Sequence, residues 1–401
     1  MSQLLDKLVA LLEQKEERMI SIRRYLHQHP ELSFQETETA KYIADFYKGK
    51  DCQTRTNFGG QYGIVVDIEG TKESSEPQKH IAIRADFDAL PIQEETGLAF
   101  ASQNPGVMHA CGHDAHTAYM LILAESLIEL RTEFSGKVRI LHQPAEEVPP
   151  GGAKAMIEAG CLEGIDAVLG IHVMSTMEEG TVQYHAGAVQ TGRATFKVFF
   201  QGKGGHGSMP HKANDTIVAA STFVTAAQTI VSRRISPFET AVVTIGSFDG
   251  KGSANVIKDS VTIEGDVRVM SEASRHIVEE EFKQILDGIA TAFKVTYHLD
   301  YLNDYPVLIN DTKVTETVKK ALKAQAIPEV KILECEPQTP SEDFAYYAQA
   351  IPACFFYVGA HIPGTESFPH HHPKFKISEK SLLISARSMA TALLGLLEEG
   401  E

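Results

Sequence analysis

Residues 137–173 read KVRILHQPAEEVPPGGAKAMIEAGCLEGIDAVLGIHV. Lys137 to Gln143 and Ala167 to Val173 are rich in β-branched and aliphatic residues and predict strands. Ala153 to Ala159 predicts a short helix between them. A strand, a helix and a strand within 37 residues point to an α/β sheet with helices on its faces. The same alternation extends upstream. Tyr62 to Ile68 and His80 to Ala85 read as strands, and His116 to Leu130 reads as a helix. The first 48 residues read as two helices, the first carrying Leu4, Leu5, Leu8, Leu11 and Leu12 and extending through Ile20 to Leu26. Pro30 ends that pattern, and Ala40, Ile43, Phe46 and Tyr47 mark the second.

From about Gly187 the pattern changes. Arg193 to Gln201, Thr240 to Ser247, Ser260 to Met270 and Lys294 to Leu299 predict strands. Ile217 to Val231 and Glu272 to Phe293 predict helices. This order, β-α-β-β-α-β, is the ferredoxin-like split unit. After Tyr305-Pro306 the earlier alternation resumes with Val314 to Ala326, Pro328 to Leu333, Ala353 to Val358 and a last helix, Ser378 to Leu397. The economical reading is an α/β domain in two segments, 1–186 and 304–401, with a second domain, 187–303, inserted between them.

The chain has 401 residues and a formal charge of −16, with 43% hydrophobic and 22% charged residues. That composition excludes disorder as the main description. The negative charge argues against nucleic acid and against an anionic membrane surface as partners. No run approaches the roughly 18–20 apolar residues of a membrane helix, and Met1 to Asp6 shows no leader pattern. Five cysteines, an odd number, suit a reducing compartment, so the expected location is cytoplasmic.

Five places gather side chains that bind metals. Asp86 and Asp88 stand two apart at a strand end, where ligands bind in open α/β sheets. They could equally cap a turn. Cys111 and His113 flank Gly112 just before a helix and suit zinc or another divalent transition metal. A Cys nucleophile served by a His is the rival reading. Glu146-Glu147 follows a strand. One of such a pair can ligate while the other takes a proton from water, and a solvated pair is the plain alternative. His172 lies in an apolar strand, where a core histidine is the commoner outcome. His370, His371 and His372 lie between Pro369 and Pro373, in a loop that is either a surface tract or a rigid presenter of one ligand. All five fall at strand-to-loop junctions of one sheet. Their convergence points to one shared site with two ions, because five ligands exceed the need of one tetrahedral zinc. Two ions about 3.5–4 Å apart can clamp a bridging hydroxide and polarise a carbonyl.

The motifs extend further. They comprise RRYLHQHPELS at 23–33, Arg84 to Pro91, His109 to Asp114, Pro144 to Glu147, GGHGSMP at 204–210, Glu342-Asp343-Phe344, and His371 to Phe375. With this set the chain resembles the aminoacylase and carboxypeptidase family of co-catalytic metallopeptidases (metallopeptidase family 20). Within it the nearest branch is that of hippurate hydrolases, N-acyl-amino-acid amidohydrolases and auxin-conjugate hydrolases. The resemblance implies a mixed-sheet, helix-flanked, zinc-exopeptidase-like catalytic domain with an inserted ferredoxin-like α+β lid and dimerisation domain, in a homodimer. It implies two divalent ions per subunit (Zn, Mn, Ni or Co), bridged by Cys111 and bound by His113, Glu147, His172 and His371, with His370 and His372 as rivals for the last place. Glu146 would be the general base. Asp88 would orient a ligand. Asp86 falls where other branches place a ligating His, a task this branch gives to the Cys-Gly-His pair. His206, on the Gly-rich loop, would reach the other subunit's active site and stabilise the oxyanion. Asn255 and Arg268 would contact substrate, and Glu342 to Phe344 would either begin a helix or line the substrate pocket. The implied reaction is hydrolysis of N-acyl amino acids. A carboxypeptidase, a dipeptidase or an N-acetyl-diaminopimelate deacetylase is the enzymatic alternative, and a metal- or peptide-binding protein that retains the fold is the non-enzymatic one.

Overall fold

The computed structural model describes residues 3–60, 62–75, 78–325, 327 and 329–398. The described residues form two compact units. One comprises Met1–Val189, Ile309–Glu336 and Asp343–Glu401. The other comprises Gln190–Leu308 and Pro337–Glu342.

The first unit holds an eight-stranded mixed sheet. Its order is Gln53–Phe58, Gly63–Glu69, Lys137–Gln143, His80–Asp86, Ala167–Glu178, Ala353–His361, Thr181–Tyr184, Lys331–Glu334. The four central strands, Lys137–Gln143, His80–Asp86, Ala167–Glu178 and Ala353–His361, are mutually parallel. They are buried along nearly their whole length, as expected of parallel strands covered on both faces. Because they are parallel, their carboxyl ends share one edge. Asp86 pairs with Gln143, and Arg84 pairs with Gly170, two residues before Asp86 and His172 respectively. The register therefore brings the ends of three strands to one level.

Helix His113–Glu129 is buried on every side, so it shows no amphipathic stripe. The N-terminal pattern read as one helix is two, Gln3–Gln14 and Glu16–Gln28. They part at Lys15, whose side chain turns to Glu125 and Glu129 at 3.3 and 2.6 Å. Helix Lys380–Leu397 corrects the reading that no segment matches a membrane span. By length and composition it could cross one, but most of it is buried in this fold. The ends expected at Ala326 and Pro328 lie outside the described residues, as do Met1, Ser2 and Glu76.

The second unit is a four-stranded antiparallel sheet, Ala241–Asp249, Ser260–Val269, Gly192–Gln201, Thr296–Asn303, with helices Thr216–Arg233 and Glu272–Phe293. In chain order its strands stand 2-3-1-4, which is the ferredoxin-like arrangement expected. Val198, Phe200, Phe223, Ile263, Val278 and Phe282 fill its core.

Candidate active site

Cys111 and His113 are set by Gly112. Its φ is +94°, and a Cβ there would stand 2.5 Å from Val173 Cγ2, so only glycine fits without displacing a neighbour. The turn ends in helix His113–Glu129, and Cys111 faces three other elements. His172 Nε2 lies 3.4 Å from its sulfur, and His370 Nδ1 lies 3.5 Å away. Potential ligand atoms of Cys111, His113 and His172 all lie within 4.8 Å of one another. So do those of Cys111, Glu147 and His371, and those of His113, Glu146 and Glu147. Cys111 thus belongs to two ligand groups at once.

The outer contacts fix which nitrogen each ring presents. His113 Nδ1 lies 3.0 Å from the Asp88 carbonyl and 3.1 Å from its carboxylate. Its Nε2 is left buried with no hydrogen-bond partner. His172 Nδ1 donates to the Val173 carbonyl at 2.8 Å, so its Nε2 is the nitrogen that faces Cys111. Glu147 also keeps a buried oxygen, Oε1, without a partner. Orphaned atoms of this kind are costly unless something occupies the space between them. A soft sulfur, imidazole nitrogens and a carboxylate fit divalent transition metals.

The electrostatics agree. Burial would lower the His113 pKa, yet Asp86, Asp88 and Glu147 hold it up at about 10. Burial pushes the Cys111 thiol well up, and Glu147 and Glu146 add to this. Burial likewise holds His172 well below the ordinary imidazole range. Burial first, and the Glu147 and Glu146 carboxylates second, thus disfavour a thiolate at Cys111 unless cations balance it.

Glu146 and Glu147 follow Ala145, which adopts a left-handed φ of +53°. The buried Glu36 carboxylate accepts the Ala145 N–H at 2.7 Å, and Asp88 Oδ2 accepts the Glu147 N–H at 3.0 Å. The turn carrying the acid pair is therefore held at both ends. Ser33 Oγ donates to the same Asp88 oxygen at 2.7 Å. The motif at 23–33 thereby acquires its place: Ser33 reaches Asp88, while Arg23 and His27 both reach Asp114 at 2.9 Å.

Of the three consecutive histidines, His371 lies 3.1 Å from Glu147 Oε2 and joins the Cys111–Glu147 group. The half-buried His370 packs its ring against His172, with centroids 5.0 Å apart. His372 turns away, with its Nδ1 accepting the Lys374 N–H at 3.0 Å and its ring stacked on Phe368.

Sequence reading missed His116. Its Nδ1 bonds Asp86 Oδ1 at 2.6 Å, and its Nε2 accepts the Val173 N–H at 3.0 Å, so both nitrogens are spent. Asp86 is engaged by Arg84 as well, and lies 3.7 Å from His113 Nε2. The i, i+3 spacing of His113 and His116 on one helix was the available signal. Asp343 accepts the Ala153 N–H at 3.1 Å and so caps helix Gly152–Glu158, while also binding Arg84 and Gln143.

In the second unit, His206 and Asn255 come together. A two-stranded ribbon pairs Val256 with His206, and the Gly207 N–H donates to the Asn255 carbonyl at 2.8 Å. Arg268 donates to Asp266 at 2.7 Å, an oxygen pair that also holds Arg193 at 2.8 Å.

Comparison with known proteins gives these features a context. Residues 82–395 match the model of peptidase family M20/M25/M40. An N-acetyl-L-cysteine deacetylase of Bacillus subtilis is 40% identical over 386 residues, covering 96% of this chain and 90% of the relative. A crystal structure from methicillin-resistant Staphylococcus aureus, described as a candidate aminohydrolase, superposes with a TM-score of 0.93 at 62% identity, covering 98% of this chain and 100% of the other. A dinuclear metal-binding M20 peptidase from Bacillus subtilis superposes with a TM-score of 0.82 at 33% identity, covering 96% and 99%. With the family match spanning most of its length, the chain is a hydrolase of peptidase family M20/M25/M40.

Proposed function

We propose that this enzyme hydrolyses the amide bond of N-acyl amino acids carrying acetyl, benzoyl or longer acyl groups. The observation that carries the reading is the adjacency of Glu146 to Glu147 and His113, inside a cluster whose sulfur belongs to two ligand groups. The activity named for the Bacillus subtilis deacetylase supports the same class of substrate.

Cys111, His113 and His172 would hold one ion, and Cys111, Glu147 and His371 the other. Zinc, manganese, nickel and cobalt all suit these donors. When bound, the ions supply Lewis acidity and make water acidic enough to react near neutrality. The residues do the rest. Glu146, buried beside the ligands, takes the proton from the attacking water as the new C–O bond forms. It then returns that proton to the leaving amine as the C–N bond breaks. Asp88 keeps His113 presenting Nε2. His206, reaching in from the other subunit of a homodimer, donates a hydrogen bond to the carbonyl oxygen as it becomes negative. Asn255, in the turn just before the ribbon and accepting the Gly207 N–H, contacts the substrate from beside His206.

The test is a panel of N-acetyl, N-benzoyl and longer N-acyl amino acids, each assayed with Zn, Mn, Co and Ni. Turnover of at least one series with an added metal is expected. Uniform inactivity, alongside turnover of dipeptides, would replace this reading with a peptidase.

A further inference from the structure

His206 is exposed on the second unit, yet its ring is not free to choose where its proton sits. The backbone N–H of Ser208 points at His206 Nδ1 at 3.2 Å, and Ser208 Oγ lies 2.8 Å from the same nitrogen. An amide N–H can only donate. Nδ1 must therefore be an acceptor, and a neutral ring must carry its proton on Nε2. With Nδ1 an acceptor, the Ser208 hydroxyl is a second donor to it. Among the described residues Nε2 has no partner, so the Nε2–H is the one donor this ring has to offer. The loop that sets the angle is also fixed. The Gly207 N–H is bonded to the Asn255 carbonyl, and a Cβ at 207 would stand 3.0 Å from that oxygen. The Met209 N–H closes back on the His206 carbonyl at 2.8 Å.

We infer that Ser208 is a positioning residue: with its amide and hydroxyl it locks His206 as the Nε2–H tautomer, so that the ring always presents a donor. The inference rests on the reading of His206 as the oxyanion donor, which needs a proton on the outward nitrogen. A ring protonated on Nδ1 would offer a lone pair to a negative oxygen and oppose the reaction. No other residue of the loop bonds to this ring among the described contacts.

The test uses the full-length enzyme labelled with ring-15N histidine, with His206 assigned by the signals lost in His206→Ala. The wild-type ring is expected to show an unprotonated Nδ1 and a protonated Nε2. Ser208→Ala keeps the amide donor and loses the hydroxyl. Its spectrum should move toward a tautomer mixture, and its kcat on a substrate from the panel should fall about 2- to 10-fold, the range of one neutral hydrogen bond, with KM changing less. Ser208→Thr should restore both. An Nδ1-protonated ring in the wild type, or a Ser208→Ala enzyme identical to wild type in spectrum and kcat, overturns the assignment. An undiminished kcat in His206→Ala overturns the oxyanion reading instead, and the spectrum then judges the tautomer lock alone.

Discussion

The Asp88 carboxylate faces His113 Nδ1 at 3.1 Å, which leaves His113 Nε2 as the ring's only free nitrogen. The other Asp88 oxygen holds the backbone of Glu147. One carboxylate thus sets two candidate ligands on different elements of the fold. Asp88→Ala should release both the ring and the acid turn. The expected result is metal affinity reduced about 10- to 100-fold, read by titration of the metal-free protein with zinc. Unchanged affinity would reduce Asp88 to a turn residue.

Glu146 and Glu147 should separate by what each loss removes. Glu146→Gln should bind its full complement of metal, measured by elemental analysis, and lose about 10²- to 10⁴-fold in kcat. Glu147→Gln should lose metal as well as turnover. A Glu146→Gln enzyme of near wild-type kcat would disqualify Glu146 as the base.

The histidine triplet offers an internal control. His371→Ala removes the ring that faces Glu147 and should lower metal content. His372→Ala removes a half-buried ring whose Nδ1 is bonded only within its own loop and should leave metal content and kcat as they were. Equal effects would mean that the loop acts only as a structural strap.

Stability should depend on acid through Glu125. This carboxylate bonds Lys50 and Arg18 at 2.6 Å and pairs with Lys15 at 3.3 Å. Burial opposes its charge, but the bonds to Lys50 and Arg18 bring its pKa down to about 2. A folded pKa below the unfolded one means that the stabilisation is complete above about pH 4.5. It is lost as pH falls toward 2. Because Arg18 is half exposed, solvent screening leaves a contribution of about 1–2 kcal/mol. Glu125→Gln should lose that much at pH 7 and show a flatter acid limb in urea melts across pH 5 to 2. A parallel acid limb would place the stabilisation elsewhere.

How much was legible in the sequence follows from burial and period. The central strands are apolar runs, and helix Glu272–Phe293 has one clear buried face, so both kinds of element could be read. Strand Gln53–Phe58 was missed because its residues QTRTNF are nearly all exposed at a sheet edge, where no alternation is required. The ribbon Gly205–His206 with Val256–Ile257 is too short to have a period. The candidate ligands were readable because Gly112 and the prolines around Glu146-Glu147 and the histidine triplet marked unusual backbone. The Asp86–His116 pair was not, since its partners stand 30 residues apart and meet only through the register of strand and helix. Arg268 illustrates a different limit: its charge was evident, but its engagement by Asp266 depends on strand geometry.

Strand Ala353–His361 lies inside the large sheet, between Ala167–Glu178 and Thr181–Tyr184, although it comes late in the chain. A nascent chain that has reached residue 336 therefore has every part of the Cys111–Glu147 cluster except His371, on a sheet with a missing middle. By then the four strands and two helices from Gly192 to Asn303 have all emerged. The enclosed segment can finish its sheet while the part that began first is still waiting for its last strand. In chain order the loop that carries His371 follows every strand of the sheet behind it.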